Sequence, residues 1–148
     1  TIASVLPLVR YNNLPTLKIE IENKFEKSMP PINGDSQQLQ EVFLNLLINA
    51  YQSMPNGGRI RINTSNVRDL YAEIQINDTG IGIPENHLKN IFMPFFSTKK
   101  EGTGLGLSIC HNIIKNHNGS IELTSQVDKG STFTIKLPFM QKEGNGAL

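Results

Sequence analysis

Glu41, Asn45, Asn49 and Gln52 punctuate the apolar run QEVFLNLLINAYQSM, Gln40 to Met54. An α-helix turns about 100° per residue, so these polar side chains fall within an arc of roughly 80°. Leu39, Phe43, Leu46, Leu47 and Ala50 take the opposite side, where a core requires them. Asparagine is a poor helix former, and its amide needs several hydrogen-bond partners once it leaves water. Two asparagines one turn apart, with a carboxylate one turn earlier, suit a site for a metal ion and a polar ligand. A solvated face of an amphipathic helix accounts for the same stripe, and this segment alone does not separate the two.

Two glycine clusters add to it. Asp78-Thr79-Gly80-Ile81-Gly82 stands at the end of an alternating segment. A carboxylate there can accept a hydrogen bond from the amino group of a bound ring, and Gly80 and Gly82 allow a sharp turn and close approach of a flat ligand. A tight Asp/Gly turn explains the same letters. Gly102-Thr103-Gly104-Leu105-Gly106-Leu107 lies where a loop enters a helical pattern. Unpaired N–H groups at a helix start favour phosphate. The spacing is neither the Rossmann fingerprint nor a P-loop. Lys99 and Lys100, just upstream, are point charges able to neutralise phosphate, although a solvated loop is the plainer reading of either one alone.

The elements that must carry these residues follow from periodicity. TLKIEIENKF alternates over Leu17, Ile19 and Ile21 and predicts a strand. Asp35, with Gln38 three residues on, resembles a capping box, and the helix it opens extends to about Met54 before the turn Pro55-Asn56-Gly57-Gly58. RIRINTS and YAEIQIND predict an antiparallel pair, and ENHLKNIF a short helix. MPFFSTKKEGTG has no periodicity, which marks a functional or disordered loop. LGLSICHNIIKNHNG predicts a second long helix stopped by Gly119, and SIELTSQVDKGSTFTIKLP two strands about Asp128-Lys129-Gly130. The order predicts an α/β two-layer sandwich: a mixed, mostly antiparallel sheet of about five strands with about three helices on one face.

At 148 residues the chain is long enough for one domain with its own core. A formal charge of +1 gives no electrostatic case for nucleic acid or an anionic membrane surface. No apolar run approaches the roughly 20 residues that span a bilayer. The lone Cys110 excludes a disulfide within the chain, and one cysteine with three scattered histidines fits no zinc spacing. Cys110 reads as a core residue.

Taken in order, the motifs resemble the ATP-binding catalytic domain of sensor histidine kinases, in the superfamily with the Bergerat fold that also includes gyrase, the Hsp90 chaperones and MutL. EVFLNLLINA is similar to that family's asparagine box, NDTGIGIP to its first glycine box, IFMPFFSTKK to its phenylalanine box and GTGLGL to its second glycine box. GSTFTIKLP is similar to its last strand. The resemblance runs from about Leu17 to Pro138, and NAYQSMPNGG with PFFSTKKEGTGLGL looks closest to the nitrogen-regulatory sensor kinases.

The resemblance implies roles position by position. Asn45 would bind Mg²⁺ and Asn49 would face the triphosphate of ATP. Asp78 would bond the adenine amino group, with Gly80, Gly82 and Ile83 around the ring. Gly102, Thr103, Gly104, Leu105, Gly106 and Leu107 would hinge a lid over the phosphates beside Lys99, with Phe92 and Phe95 anchoring its base. Ser131 holds the hydroxyl position that supports the adenine-site aspartate through water. Glu41 would orient or deprotonate the attacking histidine, or activate water in a hydrolytic relative.

Two departures stand out. Gln52 occupies a position where many members carry lysine, so Lys99 or another cation would have to neutralise the phosphates. None of His87, His111 and His117 has the phospho-acceptor context, and all three read as structural or solvated. The expectation is a catalytic domain cut from a larger kinase: residues 1–15 the end of a linker or helix from a preceding domain, 16–139 the ATP-binding domain, 140–148 a flexible tail. Its implied partners are the histidine-bearing dimerisation domain of the same kinase and a response regulator receiver domain, with no nucleic acid and no direct membrane contact. Its implied place is the cytoplasm, whether or not the parent is membrane-anchored. The rival readings are an ATPase using Glu41 as base, a kinase that phosphorylates serine, and a nucleotide-sensing module without chemistry.

Overall fold

Alternation of apolar and polar residues buries one face of a sheet and leaves the other wet, and five segments of this chain obey it. The structure is a computed structural model that describes residues 2–12, 18–100 and 102–140. Its strands are β1 (Ile19–Lys24), β2 (Gly58–Val67), β3 (Tyr71–Asp78), β4 (Ser120–Gln126) and β5 (Gly130–Pro138). Its helices are α1 (Ile2–Asn12), α2 (Ser36–Gln52), α3 (Glu85–Leu88) and α4 (Gly106–Asn116). The sheet runs β1-β2-β3-β5-β4, with β1 parallel to β2 and every other pair antiparallel. This is the mixed sheet with helices on one face that the periodicity predicts. Residues 13–17, which hold the end of the expected linker and the start of the expected first strand, and residues 141–148 of the expected tail lie outside the described residues.

Topology places the site. A parallel pair needs a crossover, and α2 supplies it between β1 and β2. After β3 the chain travels through α3, a long loop and α4 to the edge strand β4, then returns as β5 beside β3. That return sets Asp78, the last residue of β3, opposite Ser131, the second residue of β5. Ile60, Ile62, Ala72, Ile76, Phe133, Ile135 and Leu137 are buried on the inner face. Against them α2 buries Leu39, Val42, Phe43, Leu46, Leu47, Ala50 and Tyr51, and α4 buries Cys110, Ile113 and Ile114. The helix α1 packs on α2 and carries Val5 and Leu6 into the same core.

The structure departs from the periodicity between Pro84 and Pro94. The helix expected over ENHLKNIF is only the four residues Glu85–Leu88. The rest advances by three-residue steps: the N–H groups of His87, Asn90 and Met93 donate to Pro84, His87 and Asn90 carbonyls, each at 2.9 Å. No side chain caps the start of α3, and Pro94 disfavours helical geometry just before it, so a tighter coil that buries Ile91 replaces a longer helix.

The capping box of α2 forms by half. Asp35 Oδ1 accepts the N–H groups of Gln37 (2.8 Å) and Gln38 (3.1 Å). The reciprocal bond goes elsewhere: the Asp35 N–H donates to Nε2 of His117, at 3.0 Å. Since an amide N–H can only donate, Nε2 holds the lone pair and Nδ1–H donates to the Ile113 carbonyl at 2.8 Å. His117 is buried, and it ties the end of α4 to the start of α2. His117→Ala orphans this N–H and opens a cavity, which should cost about 1–3 kcal/mol. Asp35→Ala should cost about 1 kcal/mol. Urea unfolding of both and of the double variant checks this; a shared helix entrance predicts a double-variant loss smaller than the sum.

Candidate functional site

A cleft of about 520 Å³ opens between the C-terminal end of α2, the loop after β3, residues 96–99 and 102–104, and the start of α4. Each wall is built differently. Asp78 lines it and is 4% exposed. Its Oδ1 accepts the Gly80 N–H at 2.8 Å and lies 3.1 Å from the Ser53 hydroxyl. Ser53 has one proton for two acceptors, since its Oγ is also 2.7 Å from the Ala50 carbonyl. Burial holds the Asp78 carboxyl above its ordinary value of 3.8, against the opposing hydrogen bonds of the Gly80 N–H, the Ser53 hydroxyl and the Ser131 backbone.

The loop after Asp78 is fixed from both sides. The Ile81 N–H donates to the Ser53 carbonyl (3.0 Å), and the Ile81 carbonyl accepts from Asp128 N–H (2.8 Å). The Ile83 N–H donates to Ser125 Oγ at 2.8 Å, and Ser125 passes its own proton to the Gly130 carbonyl at 3.0 Å. Ser131 therefore donates to Ser125 Oγ, 2.9 Å away. Gly82 has φ +69°, and a Cβ there would stand 2.0 Å from the Gln126 carbonyl oxygen, so only glycine permits this approach. The Cβ position of Gly80 is filled by Ser53 Oγ, also at 2.0 Å. Gly80 thus supports Asp78 from behind and does not line the cleft, whereas Gly82 and Ile83 do.

The opposite wall comes from the loop before α4. Lys99 Nζ reaches back to α2, donating to Asn49 Oδ1 at 3.2 Å and to Gln52 Oε1. Loss of solvation holds its ammonium pKa below the ordinary 10.5. Gly102, Thr103, Gly104, Gly106 and Leu107 line the cleft, and Leu105, the residue just before α4, gives the helix no side-chain cap. Gly106 and Leu107 lie in the first turn of α4, where helix N–H groups lack intrahelical partners, so such donors stand at the edge of the cleft. Gly104 has φ +71°, and a Cβ on it would fall 2.4 Å from the Phe95 carbonyl carbon.

Asn45 and Glu41 stand farther along α2 and are not part of the lining. Asn45 is half-buried opposite α4: a Cβ on Gly106 would come 3.8 Å from Asn45 Oδ1. The Asn45 side chain also hydrogen-bonds Cys110, whose thiol burial pushes up to about 12. Glu41 is exposed one turn earlier.

One expected anchor is corrected. Phe95 is 78% exposed with φ +66°, and its hold is a backbone bond, its N–H donating to the Gly104 carbonyl at 2.9 Å. The packed aromatics are Phe92, 5.4 Å from the His111 ring, and Phe96, which lines the cleft and meets His87 edge-on at 5.5 Å. The positive φ at Phe95 turns the first side chain of the Phe95-Phe96 pair outward. Sequence reasoning also missed Ser53 and Ser125. Nothing in the spacing ties a serine at a helix end to a carboxylate two elements later.

The family described as histidine kinase-, DNA gyrase B- and HSP90-like ATPase matches residues 34–141. The chain is 44% identical over 121 residues to Sporulation kinase C of Bacillus subtilis (strain 168), covering 81% of this chain and 28% of that protein. It spans well under half the length of the curated relatives it matches. The solved structure of the mycobacterial sensor histidine kinase MprB superposes with a TM-score of 0.80 at 31% identity, covering 93% of this chain and 91% of that one. The catalytic domain of histidine kinase ThkA gives a TM-score of 0.81 at 29% identity, covering 93% and 90%.

The raised carboxyl at Asp78 has a sign that melting curves can read. A carboxyl group that holds its proton more tightly when folded stabilises the fold fully below its unfolded pKa, and that contribution is lost as pH rises through the folded pKa. Asp78→Asn keeps the shape without the charge. The variant's melting temperature, relative to wild type, should climb as pH rises above the ordinary carboxyl value of 3.8 in nucleotide-free protein. A pH-independent difference would show that Asp78 carries no such penalty.

Proposed function

The chain belongs to the histidine kinase-, DNA gyrase B- and HSP90-like ATPase family, in company with sensor histidine kinases, and on that footing we propose that it binds Mg-ATP and hands the γ-phosphate to a histidine on a separate dimerisation domain. The observation that carries this reading is the polarity of one cleft: a buried carboxylate on its fixed wall, and an ammonium with an uncapped helix start on its loop wall.

Asp78 accepts the adenine amino group, and Gly82 and Ile83 pack beside the ring. Ser131 supports this wall through Ser125 and its own backbone. The triphosphate extends toward Asn49, Lys99 and the glycines 102–106, where ammonium and backbone N–H groups offset its charge. Among the described residues no group of three His, Cys, Asp or Glu side chains could hold a metal ion. A Mg²⁺ that takes most of its ligands from phosphate and water fits that donor set, with the amide oxygen of Asn45 as its protein ligand. When bound, Mg²⁺ neutralises phosphate charge; Asn45 itself only offers an oxygen that faces Gly106 at ordinary contact distance. Phosphoryl transfer asks the protein chiefly for positioning and charge compensation, which amides, N–H groups and one lysine supply.

Glu41, exposed one turn before Asn45, orients or deprotonates the incoming histidine. The phosphorylated histidine then serves a response regulator receiver domain. No helix among the described residues is long and apolar enough to cross a membrane. The reading puts the domain in the cytoplasm, with any anchor in another part of the parent kinase.

Calorimetry with Mg²⁺ and ATP or GTP tests the assignment of the base. In Asp78→Asn the amide oxygen is claimed by the Gly80 N–H, which turns NH₂ donors toward the adenine amino group. ATP affinity should fall at least about tenfold, and wild type should prefer ATP to GTP. Equal affinities would remove the adenine assignment. With a supplied dimerisation domain, Glu41→Ala should slow phosphate transfer and leave ATP binding intact. Steady ATP turnover by the domain alone, abolished in that variant, would favour the hydrolytic reading.

A further inference from the structure

Lys99 bears the only formal positive charge among the described residues that line the cleft, and it is held in an unusual way. Its ammonium bonds two neutral amide oxygens, those of Asn49 and Gln52, three residues apart on one face of α2. Among the described residues no carboxylate lies within ion-pair distance of it. Asn49 and Gln52 line the same cleft, so the loop residue reaches across the opening to the helix.

Position 52 decides what that reach can do. A carboxylate there would neutralise Lys99 and compete with an incoming phosphate. A lysine would set a second ammonium against the first, and like charges at hydrogen-bond separation repel the loop from the helix. Glutamine does neither. Its oxygen accepts from the ammonium, and a neutral acceptor yields to a charged one, because bonds between two ions are about twice as strong as neutral ones.

We infer that Gln52 is a positioning residue for Lys99, and that the pair is a latch which moves the cation for the nucleotide phosphates from the helix to the loop that covers them. This rests on the nucleotide reading above and adds to it a consequence for ligand choice. Phosphate engagement and loop position become one event. A ligand with a polyphosphate captures Lys99, whereas a nucleoside alone leaves it on Asn49 and Gln52. The role is interchangeable between the two positions: the charge works from either, provided the other is neutral.

Calorimetry with Mg-ATP and, separately, adenosine on wild type, Lys99→Ala, Gln52→Ala and the double variant Gln52→Lys/Lys99→Ala tests it. Lys99→Ala should weaken ATP about tenfold and leave adenosine unchanged. Gln52→Ala removes an acceptor that the phosphates must displace and should tighten ATP about threefold, again without effect on adenosine. The double variant should regain most of the affinity that Lys99→Ala loses. Adenosine binding serves in each variant as the measure of an intact fold and base pocket. ATP affinity unchanged in Lys99→Ala, or not raised in Gln52→Ala, overturns the latch. Equal losses for ATP and adenosine, or a double variant no better than Lys99→Ala, overturn it also. Wild type that binds neither ligand removes the nucleotide reading itself and the latch with it.

Discussion

A carboxylate withdrawn from water is costly, and the protein surrounds Asp78 with the means to keep it. Its side chain ends β3 at 4% exposure, and among the described residues no cation pairs with it. What holds it is a set of donors from three elements: the Gly80 N–H from the following loop, the Ser53 hydroxyl from the end of α2, and the Ser131 backbone from β5. Each donor depends on a larger feature. Ser131 arrives because β5 returns beside β3, Ser53 because α2 stops at Gln52, and Gly80 because no other residue fits against Ser53. The polar floor and the sheet topology are therefore one construction.

The second organising element is α2, which does two jobs with two faces. Its apolar face fastens the helix layer to the sheet, and its polar face presents Asn49 and Gln52 to the cleft, with Asn45 facing α4 and Glu41 left in water. Rigidity is distributed unequally around the site. The loop after β3 is pinned by Ser53, Ser125 and Asp128, whereas the segment before α4 is tied to the rest, among its described residues, mainly by Lys99 on α2, the Phe96 ring against His87 and the Phe95–Gly104 backbone bond, with Ser97 and Gly102 bonding only within the segment. A fixed wall for the base and a lightly tethered wall for the phosphates suit a ligand that must enter, be covered and leave.

Much of this was legible without coordinates. Strict alternation over RIRINTS, YAEIQIND and STFTIKL has one physical outcome in water, a half-buried sheet, and all three segments lie in strands. The α2 stripe separates core from cleft as its spacing requires, and Leu39, Phe43, Leu46, Leu47 and Ala50 are all buried. The four boxes, in their order, were enough to indicate the family. Less legible were the limits of short elements: Pro84 and Pro94 left too little chain for cooperative helix formation, so α3 shrank to Glu85–Leu88. His117, with no readable context in sequence, became the partner of the α2 cap.

The sequence by itself determined the residues that can do chemistry and the faces they occupy, because side-chain period and glycine freedom are local properties of the chain. Tertiary structure alone decided which of them meet. Lys99 finds Asn49 and Gln52 across 50 and 47 positions, and Asp78 finds Ser53 across 25. Those encounters are set by the crossover of α2 and the return of β5. Hydrogen bonds act over about 3 Å, and no pattern in a linear chain encodes a distance that only the packing of separate elements creates.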